Sequence, residues 1–287
     1  MQILVTGAAG YIGSHVVKQL LEQTDYEIII IDNLCTGFET TIDTLKSLDS
    51  SNSRIKYYNQ NLKKKKKVED IFKENNIKEI IHFAASLVVP ESVEQPLKYY
   101  LNNTANTANL IQIATKYGVN KFIFSSTAAV YGEPNKEDIP VSETTRTSPI
   151  NPYGSSKLFS ESVIKDTAFA NETFKFVILR YFNVAGADVD GKIGQSTLNA
   201  THLIKVAAET ALNKRAKMSI FGDDYDTQDG TCIRDYIHVC DLADAHLKAL
   251  KYLDTNPSDI FNCGYGYGYS VKEVIDTMKK VSNTDFK

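Results

Sequence analysis

Short apolar runs alternate with amphipathic stretches through the first two thirds of the chain. Runs at residues 2–6, 27–31, 54–59, 79–83, 121–126 and 175–181 are short and rich in Ile, Val and Phe, which predicts buried strands. Between them, apolar positions recur at helical spacing. Ile12, Val16 and Leu20 share one face, and helices are predicted over 68–75, 97–117 and 153–170. Residues 35–53 are polar and poorly periodic, which predicts a loop with a short helix. Strand–helix alternation of this kind implies an α/β fold with a doubly wound parallel sheet, whose ligands bind at the carboxyl ends of the strands.

After Asn183 the alternation weakens and turn residues multiply. The pattern there predicts a helix over 201–212, a strand over 218–221, a loop over 222–231 and a helix from an Asp241 N-cap to Leu253. A strand over 260–263 and a final helix over 270–281 follow. Two units are expected: residues 1–183 as a dinucleotide-binding domain and residues 184–287 as a smaller C-terminal substrate domain, some of whose segments return to the first.

Composition narrows the field only a little. The chain has 287 residues, 43% hydrophobic and 23% charged, enough for a substantial core. A net charge of −3 gives no reason to expect nucleic acid or an anionic membrane as partner. No apolar run is long enough to span a bilayer, and the first residues lack the basic start of a signal peptide. Cys35, Cys232, Cys240 and Cys263 form no C-x-x-C pair and show no metal-ligand spacing with the five histidines. Reduced thiols in a cytoplasmic protein, with no metal, are the expectation.

Candidate chemistry begins at the first turn. Gly7, Gly10 and Gly13 stand between a strand and a helix, as G-x-x-G-x-x-G. Glycines there permit a tight turn and a close approach of pyrophosphate to the backbone, and the helix N-terminus offers free N–H groups. Asp32 closes the second strand 19 residues after Gly13. An acidic side chain at that place accepts hydrogen bonds from an adenosine ribose and repels a 2′-phosphate, so NAD is favoured over NADP.

Tyr153 and Lys157 are four residues apart, one turn along a single helix face that begins at Pro152. An ammonium one turn from a phenol favours the phenolate, which makes the pair a candidate general acid/base. A surface helix can carry the same spacing with no chemistry at all. The five consecutive lysines, Lys63 to Lys67, oppose the dipole of the helix they precede and have no functional reading.

The segments VTGAAGYIGSH, IIIIDNLC, IHFAAS, NKFIFSSTAAVYGEP, NPYGSSKLFSE, LRYFNVAGA, IFGDDYDTQDGTCIRDYIHVCDLADAH and FNCGYGYGYSVKEV carry a likeness running almost end to end. The chain resembles the extended short-chain dehydrogenase/reductase family, and within it the UDP-hexose 4-epimerases, those accepting N-acetylated sugars included. The resemblance implies a Rossmann fold, bound NAD, a UDP-sugar substrate and a homodimer built through a helix bundle.

It also implies residue roles. Tyr153, Lys157 and Thr127 match the catalytic positions. Gly7, Gly10, Gly13, Tyr11, Ile12, Asp32, Asn33, Asn61, Leu62, Phe83, Ala84, Asn103, Ser125 and Tyr181 match those around the dinucleotide, together with Tyr153 and Lys157. Thr127, Asn183, His202, Leu203, Phe221 and Arg234 match those around the UDP-sugar.

The chain departs from the family pattern in places. Asn61 stands where Asp is usual, a Lys is replaced near Leu87, and His202 stands where Asn is common. Family members also continue past the position of Lys287, usually with a further phosphate-binding Arg, an acid for the ribose and a bulky residue gating the sugar pocket. Whether the sugar is plain or N-acetylated stays open.

The resemblance implies inversion at C4 through a transient 4-keto sugar. A 4,6-dehydratase of the same family would need an acid and a base after the catalytic Thr, whereas Ala128 and Ala129 follow Thr127. A truncated, inactive NAD or UDP-sugar binding protein is the remaining alternative.

Overall fold

In the computed structural model, which describes residues 1–198 and 200–287, the chain builds one large parallel sheet. Its strands are β1 (Gln2–Thr6), β2 (Glu27–Asp32), β3 (Ile55–Asn59), β4 (Ile77–His82), β5 (Lys121–Ser125), β6 (Lys175–Tyr181) and, after β7 (Asn183–Ala185) and β8 (Ile233–His238), β9 (Asp259–Cys263). The spatial order is β3-β2-β1-β4-β5-β6-β9, with the reversal between β1 and β4. Ligands bind beside such a reversal. β9 comes from the later part of the chain and pairs with β6, Tyr181 opposite Cys263.

Helices cover both faces. α1 (Tyr11–Gln23) and α2 (Glu39–Leu48) lie on one side, where Val16, Val17, Leu20, Ile42 and Leu45 pack against Ile3, Val5, Ile28 and Ile30. α3 (Lys65–Glu74) lies on the other, where Val68, Ile71 and Phe72 meet Leu4, Ile29 and Ile31. Alternate residues of β1 and β2 therefore feed opposite core layers, as the two-residue period of a strand requires.

Several boundaries differ from the sequence expectation. α2 runs ten residues in the stretch expected to hold only a short helix, because Ile42 and Leu45 supply a buried face. α3 starts inside the lysine run, so Lys65, Lys66 and Lys67 form its first turn. Burial of Val68, Ile71 and Phe72 outweighs an unfavourable dipole interaction of typically 0.3–1 kcal/mol. The expected helix over 97–117 is present as a continuous run that contains a π-helical turn. α4 (Val89–Glu94) is followed by α5 (Pro96–Tyr99), a π-helical turn (Tyr100–Ala105) and α6 (Asn106–Lys116).

The largest corrections fall after Asn183. Residues 218–221 form no strand; Met218 bonds through its N–H to the Lys287 carbonyl, 3.0 Å. The strands present there are β7, β8 and β10 (Gly268–Ser270), which form a small second sheet in the order β10-β8-β7. Two of them have three residues each, too short for a period to emerge. α8 (Leu203–Ala211) follows His202, and α9 (Val239–Tyr252) is capped by His238 rather than Asp241. The His238 ring accepts from Cys240 N, 3.2 Å, which places Asp241 inside the first turn. α10 (Val271–Ser282) begins with a full capping box between Ser270 and Glu273.

Candidate active site

The carboxyl end of β1 runs into a glycine turn. Gly7 has φ +76°, and a Cβ there would stand 2.8 Å from Ala84 N. A Cβ on Gly13 would stand 2.4 Å from the Gly7 carbonyl. Both positions therefore demand glycine. Gly10 is the N-cap of α1, and neither a capping side chain nor an acid occupies that first turn. The uncapped N–H groups and the tight, side-chain-free turn suit a pyrophosphate. Tyr11 and Ile12 open α1, and the Tyr11 hydroxyl donates to Gly186 O, 2.6 Å.

Asp32 ends β2 beside this turn and accepts from Ala9 N, 2.9 Å, and Leu34 N, 2.8 Å. Burial pushes its carboxyl above the usual value, and those N–H donors oppose the shift. Two oxygens with four acceptor sites leave room for a ribose. Asn33 turns back to Cys35 N, 3.2 Å, and Asn61 to Lys63 N, 2.9 Å, at the end of β3. Leu62 is buried beside them, with Phe83 and Ala84 past the end of β4. The donor set and the glycine cradle fit a dinucleotide laid across the carboxyl edge. Asn103, expected against the cofactor, is held by the protein's own groups. It is 2% exposed and both amide hydrogens are used, on Ser86 O, 3.0 Å, and Ser156 Oγ, 2.9 Å. It tethers the loop after β4 to the helix that carries Ser156.

That helix, α7 (Pro152–Ala170), starts where the Asn151 side chain accepts from Gly154 N, 2.9 Å. It carries Tyr153 and Lys157 to the ends of β5 and β6. Lys157 is 4% exposed, donates to Ser125 O, 2.7 Å, and lies 4.9 Å over the Phe124 ring. Burial lowers the Lys157 pKa to about 8, and Glu161 opposes the shift. Tyr99 stands edge-on to Tyr153 at 6.4 Å.

The spacing predicts that Lys157 pulls the Tyr153 phenol down. Instead, burial pushes the phenol up, and the group that opposes this is the Thr127 hydroxyl. Lys157 is engaged with the Ser125 carbonyl. Ser125 itself bonds through Oγ to His246, 2.8 Å, and burial likewise raises Tyr181 at the end of β6.

A cavity of about 600 Å³ opens beyond β6, lined by Asn183, Gly186, His202, Leu203, Lys205 and Tyr236 among others. It unites three of the residues expected around a UDP-sugar. Asn183 is fixed by Asp235 O, 3.0 Å, and His202 by Gln195, 2.9 Å. The other three stand apart from it: Thr127 lies by the Tyr153 hydroxyl, Phe221 is 88% exposed, and Arg234 lies exposed on β8, bonded to Ile233 O, 2.9 Å. Sequence reasoning missed Glu161, His246 and Tyr236. Glu161, one turn beyond Lys157 on the same face, was the one detectable by spacing. Among the described residues no cluster could hold a metal ion, and no helix is long and apolar enough to cross a membrane.

The glycine cradle, the acid closing β2 and a Tyr–Lys pair at the sheet's carboxyl edge define a nucleotide-dependent enzyme of the doubly wound class. The chain matches the NAD dependent epimerase/dehydratase family over residues 3–264 and belongs to it. It is 47% identical over 285 residues to the UDP-glucose 4-epimerase of Azospirillum brasilense, covering 98% of this chain and 77% of that protein. Among solved structures it resembles the UDP-Glc/GlcNAc 4-epimerase of Campylobacter jejuni, at 56% identity and TM-score 0.86, covering 100% of this chain and 85% of the other. It also resembles the UDP-glucose 4-epimerase of Bifidobacterium longum in complex with NAD+ and UDP, at 38% identity and TM-score 0.94, covering 100% and 84%.

Proposed function

We propose that this chain is an isomerase that inverts C4 of a UDP-hexose, with UDP-glucose and UDP-galactose as its pair, through a transient 4-keto sugar and with NAD retained throughout. The observation that carries the reading is the conjunction of a side-chain-free phosphate turn with the Tyr153–Lys157 pair, Tyr153 half-buried and Lys157 buried, on one sheet edge. Membership of the family and 47% identity to a UDP-glucose 4-epimerase support it.

Bound NAD supplies a reversible hydride acceptor for C4 of the sugar. The chain's own residues do the rest. Gly7, Gly10 and Gly13 admit the pyrophosphate, Tyr11 and Ile12 flank it, and Asp32 and Asn33 hold the adenosine ribose. Asn61, Leu62, Phe83 and Ala84 line the adenine side. Tyr153 takes the 4′-hydroxyl proton and returns it after the sugar has turned over. Thr127 orients the reacting oxygen.

Burial raises the phenol, so positive charge in addition to that of Lys157 favours ionising Tyr153. An oxidised nicotinamide ring supplies it when bound. Asn183, His202 and Leu203 line the sugar-nucleotide side, while Phe221 and Arg234 meet its uridine and diphosphate. Residues 1–183 act as the NAD-binding domain and 184–287 as the UDP-sugar domain.

A homodimer is also part of the reading. Leu97, Leu101 and Phe159 are 72%, 66% and 51% exposed, and Tyr100 packs on Phe159 at 5.8 Å. Two helices thus present one apolar strip, which a second copy would cover as a four-helix bundle. Four unpaired cysteines suit a reducing, cytoplasmic setting.

The test is incubation with UDP-glucose and with UDP-N-acetylglucosamine, without added NAD, followed by product identification. UDP-galactose from the first supports the reading; no C4-inverted product from either overturns it. The second arm reads the breadth of the sugar pocket, which the 56% identical UDP-Glc/GlcNAc epimerase makes worth measuring.

A further inference from the structure

Behind the catalytic face of α7 lies a buried ion pair that the mechanism above does not use. Glu161 is fully buried and Arg180 is 3% exposed. They meet at two points, Nη2 to Oε2 at 2.6 Å and Nε to Oε1 at 3.0 Å. Such forked pairs fix geometry as well as charge. Arg180 Nη1 also donates to the Tyr131 hydroxyl, 3.0 Å, and Tyr131 donates to Asn262 Oδ1, 2.6 Å. The guanidinium is thus held on more than one side.

The Ser126 hydroxyl donates to Glu161 Oε1, which also accepts from Arg180 Nε. Ser126 sits between Ser125, whose carbonyl receives Lys157 Nζ at 2.7 Å, and Thr127, which neighbours the Tyr153 phenol. Glu161 also follows Lys157 by one turn, as Lys157 follows Tyr153.

We infer that Glu161, anchored by Arg180, is a positioning residue of the catalytic centre: it fixes Ser126, and with it the Ser125 carbonyl and the Thr127 hydroxyl, while placing a carboxylate one turn from Lys157. This rests on the epimerase reading. Buried ion pairs are weak evidence for stability, so a role in holding the reacting groups is the better account of a charge kept here. The charged or titratable groups around Lys157 are Tyr153 and Glu161 on α7 and His82 on β4, with Arg180 behind Glu161 and Tyr181 beside Tyr153. Glu161 is the group that favours the ammonium, burial opposing it.

The test compares holoenzyme of wild type, Glu161→Gln and Ser126→Ala. Gln keeps the shape and the acceptor for Ser126 but removes the charge. Expected for Glu161→Gln is a lower kcat with KM for UDP-glucose near wild type. Its alkaline limb should move down by roughly one pH unit, the scale of a lost opposite charge nearby. The sign follows because Lys157 without its carboxylate loses its proton sooner. Expected for Ser126→Ala is a several-fold lower kcat with the limb unmoved. If both variants keep the wild-type kcat and limb and only melt earlier, the pair is structural and the inference falls. Should Glu161→Gln fail to fold, a wild-type kcat in folded Ser126→Ala overturns it alone. A wild type inactive on every UDP-hexose would instead defeat the epimerase reading itself.

Discussion

The two parts of the chain solve different problems. The seven-stranded sheet encloses two large apolar clusters, and central residues such as Ile3, Leu4, Ile80 and Ile81 are fully buried. The part after Asn183 has one small cluster of its own, Ala207, Ile275 and Phe286. It also leaves Val189, Phe221 and Tyr267 at 87%, 88% and 58% exposure. A rigid sheet edge holds the groups that move protons and cradle a dinucleotide. A loosely packed unit with short strands lines the cavity beyond β6, the side proposed for the sugar nucleotide. Chemistry is thus anchored where the core is deepest, and recognition is built where the core is thin.

The largest expected effect lies on the rigid side. Tyr153→Phe should lower turnover by about 10²–10⁴, the usual loss for a positioned acid/base, while NAD stays bound; near-normal turnover would remove Tyr153 from the mechanism. Next comes packing. Ile81→Ala, at a fully buried position in the middle of the sheet, should cost about 2–5 kcal/mol. Phe221→Ala should leave stability within about 0.5 kcal/mol. Denaturant titration of both variants measures the contrast directly, and equal losses would erase it.

Acid should also act on the sheet. Burial holds His82 at about 3 and His246 at about 4, below the ordinary 6.5. Both are neutral in the fold, His82 between Thr6 and Thr107 and His246 against Ser125. The unfolded chain takes up these protons first, so the stability they carry is present above pH 6.5 and declines as pH falls toward 4. Each histidine contributes at most about 1.4 kcal/mol per pH unit in that window. A melting temperature unchanged from pH 6.5 to 5 would refute the assignment. The smallest effect is expected at the lysine run. All five members are exposed, Lys65 bonding to the Gln112 side chain, so replacing Lys63 to Lys67 with Glu and Ser should leave specific activity intact.

The sheet was legible because its strands are long enough to show a burial pattern and its turns need particular residues. Gly7 and Gly13 could be read as a phosphate turn before any coordinates, and Asp32 stands beside that turn. The later part was less legible for equally physical reasons. β7 and β10 have three residues each, and β8 joins them only through tertiary pairing. His238 caps α9 through a ring nitrogen, which the usual preference for Asp at an N-cap hides. The pairing of Tyr153 with Lys157 was visible at four-residue spacing, but which group opposes the phenol's burial was not. That depends on the loop after β5, which brings the Thr127 hydroxyl to the phenol.

The central claim is that C4 is inverted by removal and return of the same hydride on one rigid edge. It is tested most directly with UDP-galactose carrying deuterium at C4, incubated without added cofactor. The account predicts UDP-glucose that retains the deuterium at C4, in a reaction that Tyr153→Phe stops. UDP-glucose with protium from solvent at C4, or no inversion at all, would contradict it.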